Sequence, residues 1–376
     1  MIICIGMNLS ALNEVLKNEP AFRLKQVLRA IYKDRVSAWH EITNLPLSLR
    51  DKLAEKCDLN INAASSISKN GITVKALITL NDGNKIESVL MRHKTVAKAE
   101  RAARNTVCVS SQIGCPLGCA FCATGKLGFK RNLTVDEIVE QVLFFARYLK
   151  REKGSGDGAV RVSNIVFMGM GEPMLNYENV LDAIKILHNP NCFNIGMRHI
   201  SISTAGIIEG IKRLADEKKE LFRDSSNACP CPSAANGVKE INLAISFHAP
   251  NDNLRKKLMP IAAKYSIGRI LDAVDYYIKK TNRRVMFEYI MLRGVNDTDE
   301  CARKLAKLMA RNLYFVNLIN YNPTGDFKPS FPDRIARFKE ILIKNGVVVT
   351  ERYRFGTDID AACGQLVLKN RKIDVR

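Results

Sequence analysis

No stretch of the 376-residue sequence approaches the roughly 20 uninterrupted apolar residues that a membrane-crossing helix needs. The opening run MIICIGMNLSALNEV also lacks the basic segment and long apolar core of a secretory leader. A cytoplasmic protein with no membrane partner is expected. Cysteine is too sparse for a disulfide scaffold, at 11 residues in the whole chain. The total is odd and three of them crowd together between positions 115 and 122, which points to metal or redox chemistry in a reducing compartment. Acidic residues are short against basic ones, 38 Asp and Glu to 58 Lys and Arg, for a net charge of +20. Such a surface attracts polyanions, and without a membrane anchor RNA or DNA is the natural partner. A soluble protein that is merely basic is the other reading of the charge.

The chain is long enough, and at 47% hydrophobic residues apolar enough, for one large α/β domain and a smaller one. From about Asn8 to Asp58 the pattern is helical, with Phe22, Val27, Ile31 and Tyr32 on one face and Lys25, Arg29, Lys33 and Arg35 on the others. From about Ile67 to Met91 two alternating runs flank Asn81-Asp82-Gly83-Asn84, the signature of a hairpin.

After Ala103 a strand, a polar loop and an amphipathic helix recur about six times. The strands are expected at Thr106–Ser110, Asn164–Phe167, His199–Ser203, Ile241–Ser246, Val285–Ile290 and Phe315–Ile319, with helices near Thr134–Lys150, Tyr177–His188, Gly206–Glu220, Ile267–Lys280, Thr298–Ala310 and Asp333–Lys344. Six βα units predict an α/β protein with a partial (β/α)6 barrel of TIM type. Alternation turns Val107, Val109, Ile200, Ile202, Leu243 and Ile245 outward, and Cys108, Ser110, Ser201, Ser203, Ala244 and Ser246 inward. So small and polar an inner face predicts a lumen that admits a ligand. Three stretches read as loops or insertions, 92–105, 151–161 and 216–239.

Cys115, Cys119 and Cys122 form a CxxxCxxC spacing just beyond the first barrel strand, at the end where barrel active sites lie. Structural zinc takes four ligands, and neither a fourth cysteine nor a suitably spaced histidine is near. Three thiolates on a four-iron cluster leave one iron open to a substrate or cofactor. Zinc stays open as the alternative at this level. The later strand ends carry Gly169 to Pro173, Ser203 to Gly206, Ser246 to Pro250 and Asn320 to Pro323, which supply close backbone approach and directional hydrogen bonds. Cys363 sits between small residues near the C-terminus, either an inert filler or an accessible thiol. Cys4, Cys57, Cys192 and Cys301 read as structural, and Cys229 and Cys231 fall in the third insertion.

CxxxCxxC with an aromatic residue, Phe121, before the last cysteine resembles the radical S-adenosylmethionine (SAM) superfamily. Over nearly the whole chain the sequence resembles the RlmN/Cfr family of radical SAM RNA methyltransferases. The matching runs are Thr43 to Pro46, Ile86 to Val89, Cys108 to Gln112, the cluster segment, Asn132 to Thr134, Gly169 to Pro173, His248 to Asp252, Met259 to Ile261 and Asp358 to Leu366.

The resemblance implies a 4Fe–4S cluster on Cys115, Cys119 and Cys122, and SAM contacted by Gly171, Glu172, Ser203, Ser246, Phe247, His248 and Asn322. It implies two SAM molecules per turnover, one that methylates Cys363 and one that supplies the radical abstracting hydrogen from that methyl group. Cys108 would release the product by a transient disulfide with Cys363, and Glu87 would accept the base proton. The implied partners are 23S rRNA and tRNA and an electron donor such as flavodoxin or ferredoxin, with the chain a monomer. Residues 1–66 would then be a helical RNA-binding domain, 67–100 a short β extension, 101–356 the radical SAM barrel and 357–376 the segment carrying the methyl-accepting cysteine.

Pro173 and Ala249 to Asp252 resemble the members that methylate adenine C2 rather than those that methylate C8 of the same rRNA adenine. A reading from another class is a non-enzymatic Fe–S or zinc RNA-binding module, which leaves Cys363 and the ligand-type strand ends without a purpose.

Overall fold

The computed structural model describes residues 9–93, 104–152, 161–217, 240–325 and 327–366. The expectations for Cys4, Cys229, Cys231 and most of the three insertions fall outside these residues.

The N-terminal part packs α1 (Leu9–Leu16), α2 (Ala21–Tyr32) and α3 (Leu47–Lys56) around a core that includes Val27, Ile31, Tyr32, Trp39 and Leu53. Phe22 does not share that face: it is 52% exposed, with the Arg23 guanidinium 4.9 Å from its ring centre. Five residues at 100° each put it about 140° round the helix from Val27, off the buried stripe.

Three antiparallel strands follow, β1 (Ala63–Ile67), β2 (Thr73–Thr79) and β3 (Lys85–His93), with the expected turn between the last two. They are not a separate element. β3 pairs with β4 (Arg104–Cys108), so the extension is continuous with the barrel sheet. A small ribbon, β5 (Gln112–Gly114) with β6 (Phe129–Asn132), brackets the cluster loop and α4 (Ala123–Lys126).

Then come α5 (Val135–Glu152), β7 (Asn164–Phe167), α6 (Tyr177–His188), β8 (Ile200–Thr204), α7 (Ile208–Asp216) and β9 (Asn242–Ser246). The chain continues through α8 (Asp252–Leu258), α9 (Ile267–Thr281), β10 (Val285–Met291), α10 (Asp299–Met309), β11 (Tyr314–Asn320), α11 (Pro332–Lys344) and β12 (Val349–Glu351). The ten-stranded order is β1-β2-β3-β4-β7-β8-β9-β10-β11-β12, parallel from β4 onward, with β1 and β12 as edges of an open barrel. The six expected strands are therefore joined by a seventh, β12, too short to show an alternating pattern.

Local chemistry explains the helix positions. Thr134 and Glu137 form a capping box at the start of α5, Oγ1 accepting from Glu137 N at 3.3 Å and the carboxylate accepting from Thr134 N at 2.9 Å. Arg147 of α5 fastens the N-terminal helices to the barrel, donating to Leu59 O at 2.6 Å and Val36 O at 2.5 Å.

Candidate active site

The strand ends at one mouth of the barrel enclose two adjoining cavities. The first is lined by Cys115, Cys119 and Cys122 together with Gly171, Glu172, Ser203, Ser246 and His248. The cluster loop is held by its own backbone and its neighbours: Cys115 N donates to Gly128 O at 2.8 Å and Ala120 N to Leu258 O at 2.9 Å. Burial pushes the Cys115 thiol up to about 12 and raises Cys119 and Cys122 as well. Such thiols ionise when a cation offsets the burial, which is the chemistry of an iron ligand. Among the described residues no three His, Cys, Asp or Glu side chains group closely enough to hold a single metal ion. A cluster takes one thiolate per iron, so three thiols spread round a cavity suit it better than they suit mononuclear zinc.

The other lining groups are locked by the fold. Gly171 has φ +98°, and a Cβ there would stand 2.5 Å from Gln112 Cβ, so only glycine brings the chain this close. Glu172 accepts from Ala205 N at 2.7 Å and Met174 N at 3.1 Å, while burial pushes its carboxyl up to about 7. Ser203 and Ser246 lie on adjacent strands with their hydroxyls 3.4 Å apart. His248 adopts φ +58°, a costly conformation held by Asn296 Nδ2 donating to its carbonyl at 2.9 Å. Its Nδ1 accepts from Ile290 N at 3.1 Å, which assigns the proton to Nε2, and burial lowers its pKa to about 3.

The second cavity is lined by Cys108, Val89, Met91, Asn322, Tyr353 and Phe355, among others. Cys363 and Arg352 line both. The C-terminal loop reaches this point because Gly364 O accepts from Ala123 N and Leu366 O from Thr124 Oγ1, each at 2.8 Å, tying it to the cluster loop. Burial and the neighbouring Cys363 push the Cys108 thiol up to about 12.

The structure brings most of the expected residues together, with four differences. Phe247 is fully buried on the outer side, its ring 5.5 Å from that of Phe287. The alternation that turns Ser246 inward turns Phe247 outward, so only its backbone remains near the cavity. Asn322 lies in the second cavity, donating to Cys363 O at 3.4 Å with its Oδ1 buried and unpartnered. Glu87 lines neither cavity: it is 1% exposed and paired with Lys75 Nζ at 2.9 Å. Ser110 lies past the end of β4, where its hydroxyl donates to Glu87 O at 2.6 Å and accepts from Met170 N at 2.9 Å.

Two arginines escaped the sequence reading. Arg255 is fully buried and clips the ends of two adjacent strands, β8 and β9, donating to Ala205 O at 2.6 Å, Ser246 O at 3.2 Å and Phe247 O at 3.2 Å. Arg352 donates towards Met168 Sδ at 3.1 Å and pairs with Glu288 at 3.4 Å. Cys363 nearby and Glu288 hold its guanidinium charged against the burial that opposes this. An arginine that folding turns inward at the barrel mouth has no local signal, in a basic chain, that separates it from surface arginines.

Known proteins match this chain closely. Residues 109–306 match the Radical SAM superfamily, and residues 4–59 match the ribosomal RNA large subunit methyltransferase N-terminal domain. "Ribosomal RNA large subunit methyltransferase N" of Nitrosopumilus maritimus is 43% identical over 350 residues, covering 92% of each chain. "Probable dual-specificity RNA methyltransferase RlmN" of Symbiobacterium thermophilum is 41% identical over 369 residues, covering 96% of this chain and 90% of that one. A radical SAM methyltransferase from Sphaerobacter thermophilus has a crystal structure that superposes with a TM-score of 0.81 at 40% identity, over 96% of this chain and 98% of that one. The sheet order, the cluster loop and these matches agree, and the chain belongs to the RlmN family of radical SAM methyltransferases.

Proposed function

We propose that this chain methylates C2 of adenine in 23S rRNA and in tRNA, with Cys363 as the carrier of the methyl carbon. The observation that carries the reading is the position of Cys363, on the wall common to the cluster-cysteine cavity and the Cys108 cavity. Cys115, Cys119 and Cys122 would hold the 4Fe–4S cluster. Gly171, Glu172, Ser203, Ser246, His248 and Asn322 would contact SAM, of which two molecules are used per turnover. The buried, unpartnered Oδ1 of Asn322 and the neutral His248 are the kind of groups a bound cofactor satisfies. When bound, the cluster and SAM supply a 5′-deoxyadenosyl radical, the reagent needed because adenine C2, between two ring nitrogens, is too electron-poor to attack a sulfonium methyl group.

The two thiols divide the remaining work. Cys363 Sγ carries the carbon to the base. Cys108 Sγ then attacks Cys363 Sγ: the S–S bond forms, and the S–C bond breaks with its electron pair passing to the carbon. That carbon takes the proton released by the Cys108 thiol to become the methyl group, and the electron donor returns the disulfide to two thiols. Glu87 is the proposed acceptor of the base proton. It stands two residues along β3 from Val89, whose pairing partner is Cys108, and so shares the face of the sheet that bears the cavity.

Residues 1–66 grip RNA phosphates, a role supported by the exposed Lys25 and Arg29 on α2 and Lys33 just past its end. Residues 101–356 are the catalytic barrel, 67–100 its β extension, and 357–376 present the carrier cysteine. The relatives named dual-specificity RNA methyltransferases support two RNA substrates. The protein works as a cytoplasmic monomer with a flavodoxin- or ferredoxin-type reductant. No described helix is long and apolar enough to cross a membrane.

Mass spectrometry of nucleosides from rRNA and tRNA after anaerobic reaction tests the reading. 2-Methyladenosine is expected in both. 8-Methyladenosine would move the reaction to the other carbon, and unmodified adenosine would refute the methyltransferase assignment.

A further inference from the structure

The mouth of the Cys108 cavity carries aromatic side chains that the chemistry above does not use. Tyr353 is 65% exposed, the highest value among the exposed large apolar residues of the described chain. An exposed ring alone is ordinary. This one is held: its centroid lies 4.9 Å from that of Phe355 at 67°, and Phe355 lies 4.8 Å from His93 at 68°. Phe355 is in turn packed partly into the main core, so the ladder is anchored from below. Burial, reinforced by Arg104 and Arg352, lowers the His93 pKa and so favours its uncharged ring. A ring fixed edge-on by a second ring leaves a flat face towards solvent with little rotamer freedom left to lose on binding.

The rest of the cavity suits a flat heteroaromatic. Val89 and Met91 supply an aliphatic wall, and Cys363 and Cys108 belong to the same lining. Arg354, exposed and between the two aromatics in sequence, offers a charge to a phosphate. Asn320 adds direction: its Oδ1 is buried with no hydrogen-bond partner, while its Nδ2 is directed to Glu351 at 3.4 Å. An unpartnered buried acceptor, one of two in this cavity with Asn322 Oδ1, fits a donor amine, and adenine carries one on C6.

We propose that Tyr353 and Phe355 form the stacking platform for the adenine that is methylated, with Asn320 Oδ1 accepting a hydrogen bond from its exocyclic amine. The proposal rests on the RNA methyltransferase reading above. It assigns recognition of the target base to residues outside the cluster cavity and outside the N-terminal helices. Stacking on an aromatic side chain tolerates any base, so the amide supplies the discrimination and the rings supply the affinity.

The test is a cycle of protein and RNA variants read by equilibrium binding to the reconstituted protein. Three RNA fragments are compared, identical except for adenine, purine or an abasic site at the target position. Tyr353→Ala is expected to weaken binding of the adenine fragment roughly ten- to hundredfold and to leave the abasic fragment unchanged, while Tyr353→Phe keeps wild-type affinity. Asn320→Ala is expected to erase the preference for adenine over purine. Equal weakening of the adenine and abasic fragments by Tyr353→Ala would overturn the proposal, since the contact would then lie elsewhere on the RNA. So would no weakening at all in a protein that still forms 2-methyladenosine, and that outcome leaves the enzymatic reading standing. A wild-type protein that neither binds nor methylates the adenine fragment would overturn both.

Discussion

Arg352, on the wall shared by the two cavities, holds its Nη1 3.4 Å from Oε1 of Glu288, whose side chain is 3% exposed. Glu288 is braced from behind: its Oε2 accepts from Asn317 Nδ2 at 2.9 Å, and Asn317 Oδ1 accepts from Thr350 Oγ1 at 2.8 Å. Removing the cation leaves a buried carboxylate with a single neutral donor. Arg352→Met is therefore expected to cost about 3–5 kcal/mol of stability by urea unfolding. The double variant with Glu288→Gln is expected to recover much of that loss, and additive costs in the two variants would show that the pair is not coupled.

The thiol roles separate by product. Cys363→Ala is expected to bind iron normally and form no methylated RNA. Cys108→Ala is expected to accumulate a covalent protein–RNA species, visible as a shifted band on denaturing gels. Normal turnover by Cys108→Ala would remove the disulfide-release step.

Iron should depend on the triad alone. About four irons per chain are expected after anaerobic reconstitution of the wild type and far fewer in Cys119→Ser, with deoxyadenosine formation abolished. RNA binding should persist in Cys119→Ser, because phosphate contacts do not need the cluster. Stoichiometric zinc in the wild type would contradict the assignment.

His248 gives the site an acid limit. Its pKa is about 3 when folded and near 6.5 when exposed, so between these values the unfolded chain binds the extra proton. The His248 contribution to stability is complete above pH 6.5 and is lost as pH falls towards 3. Wild type should lose on the order of a few kcal/mol more than His248→Asn over that window, by urea unfolding at successive pH values. Parallel stability curves for the two proteins would mean that the ring is not buried as described.

Arg147 tests the join between helices and barrel. Arg147→Met removes donors to Leu59 O and Val36 O and should lower hydrogen-exchange protection across residues 14–59. RNA affinity should fall while deoxyadenosine formation without RNA stays at the wild-type level.

The features that the sequence determined by itself are local ones. CxxxCxxC places three thiols on one short loop whatever surrounds it. Periods of 2 and 3.6 residues mark strand and helix from neighbouring positions alone, and so the six barrel strands and their helices lie within a few residues of expectation. The same period, carried one residue past Ser246, turns the Phe247 side chain to the opposite face, where it packs on Phe287. The tertiary structure decided what depends on distant partners. It brought Cys363 to the wall beside Cys108 and the cluster loop, paired Arg352 with Glu288, hid Glu87 behind Lys75, and ran the β extension into the barrel sheet. No local period encodes which of 58 basic residues ends up buried. That follows from strand register across hundreds of positions, where closing the loops and filling the core select one arrangement.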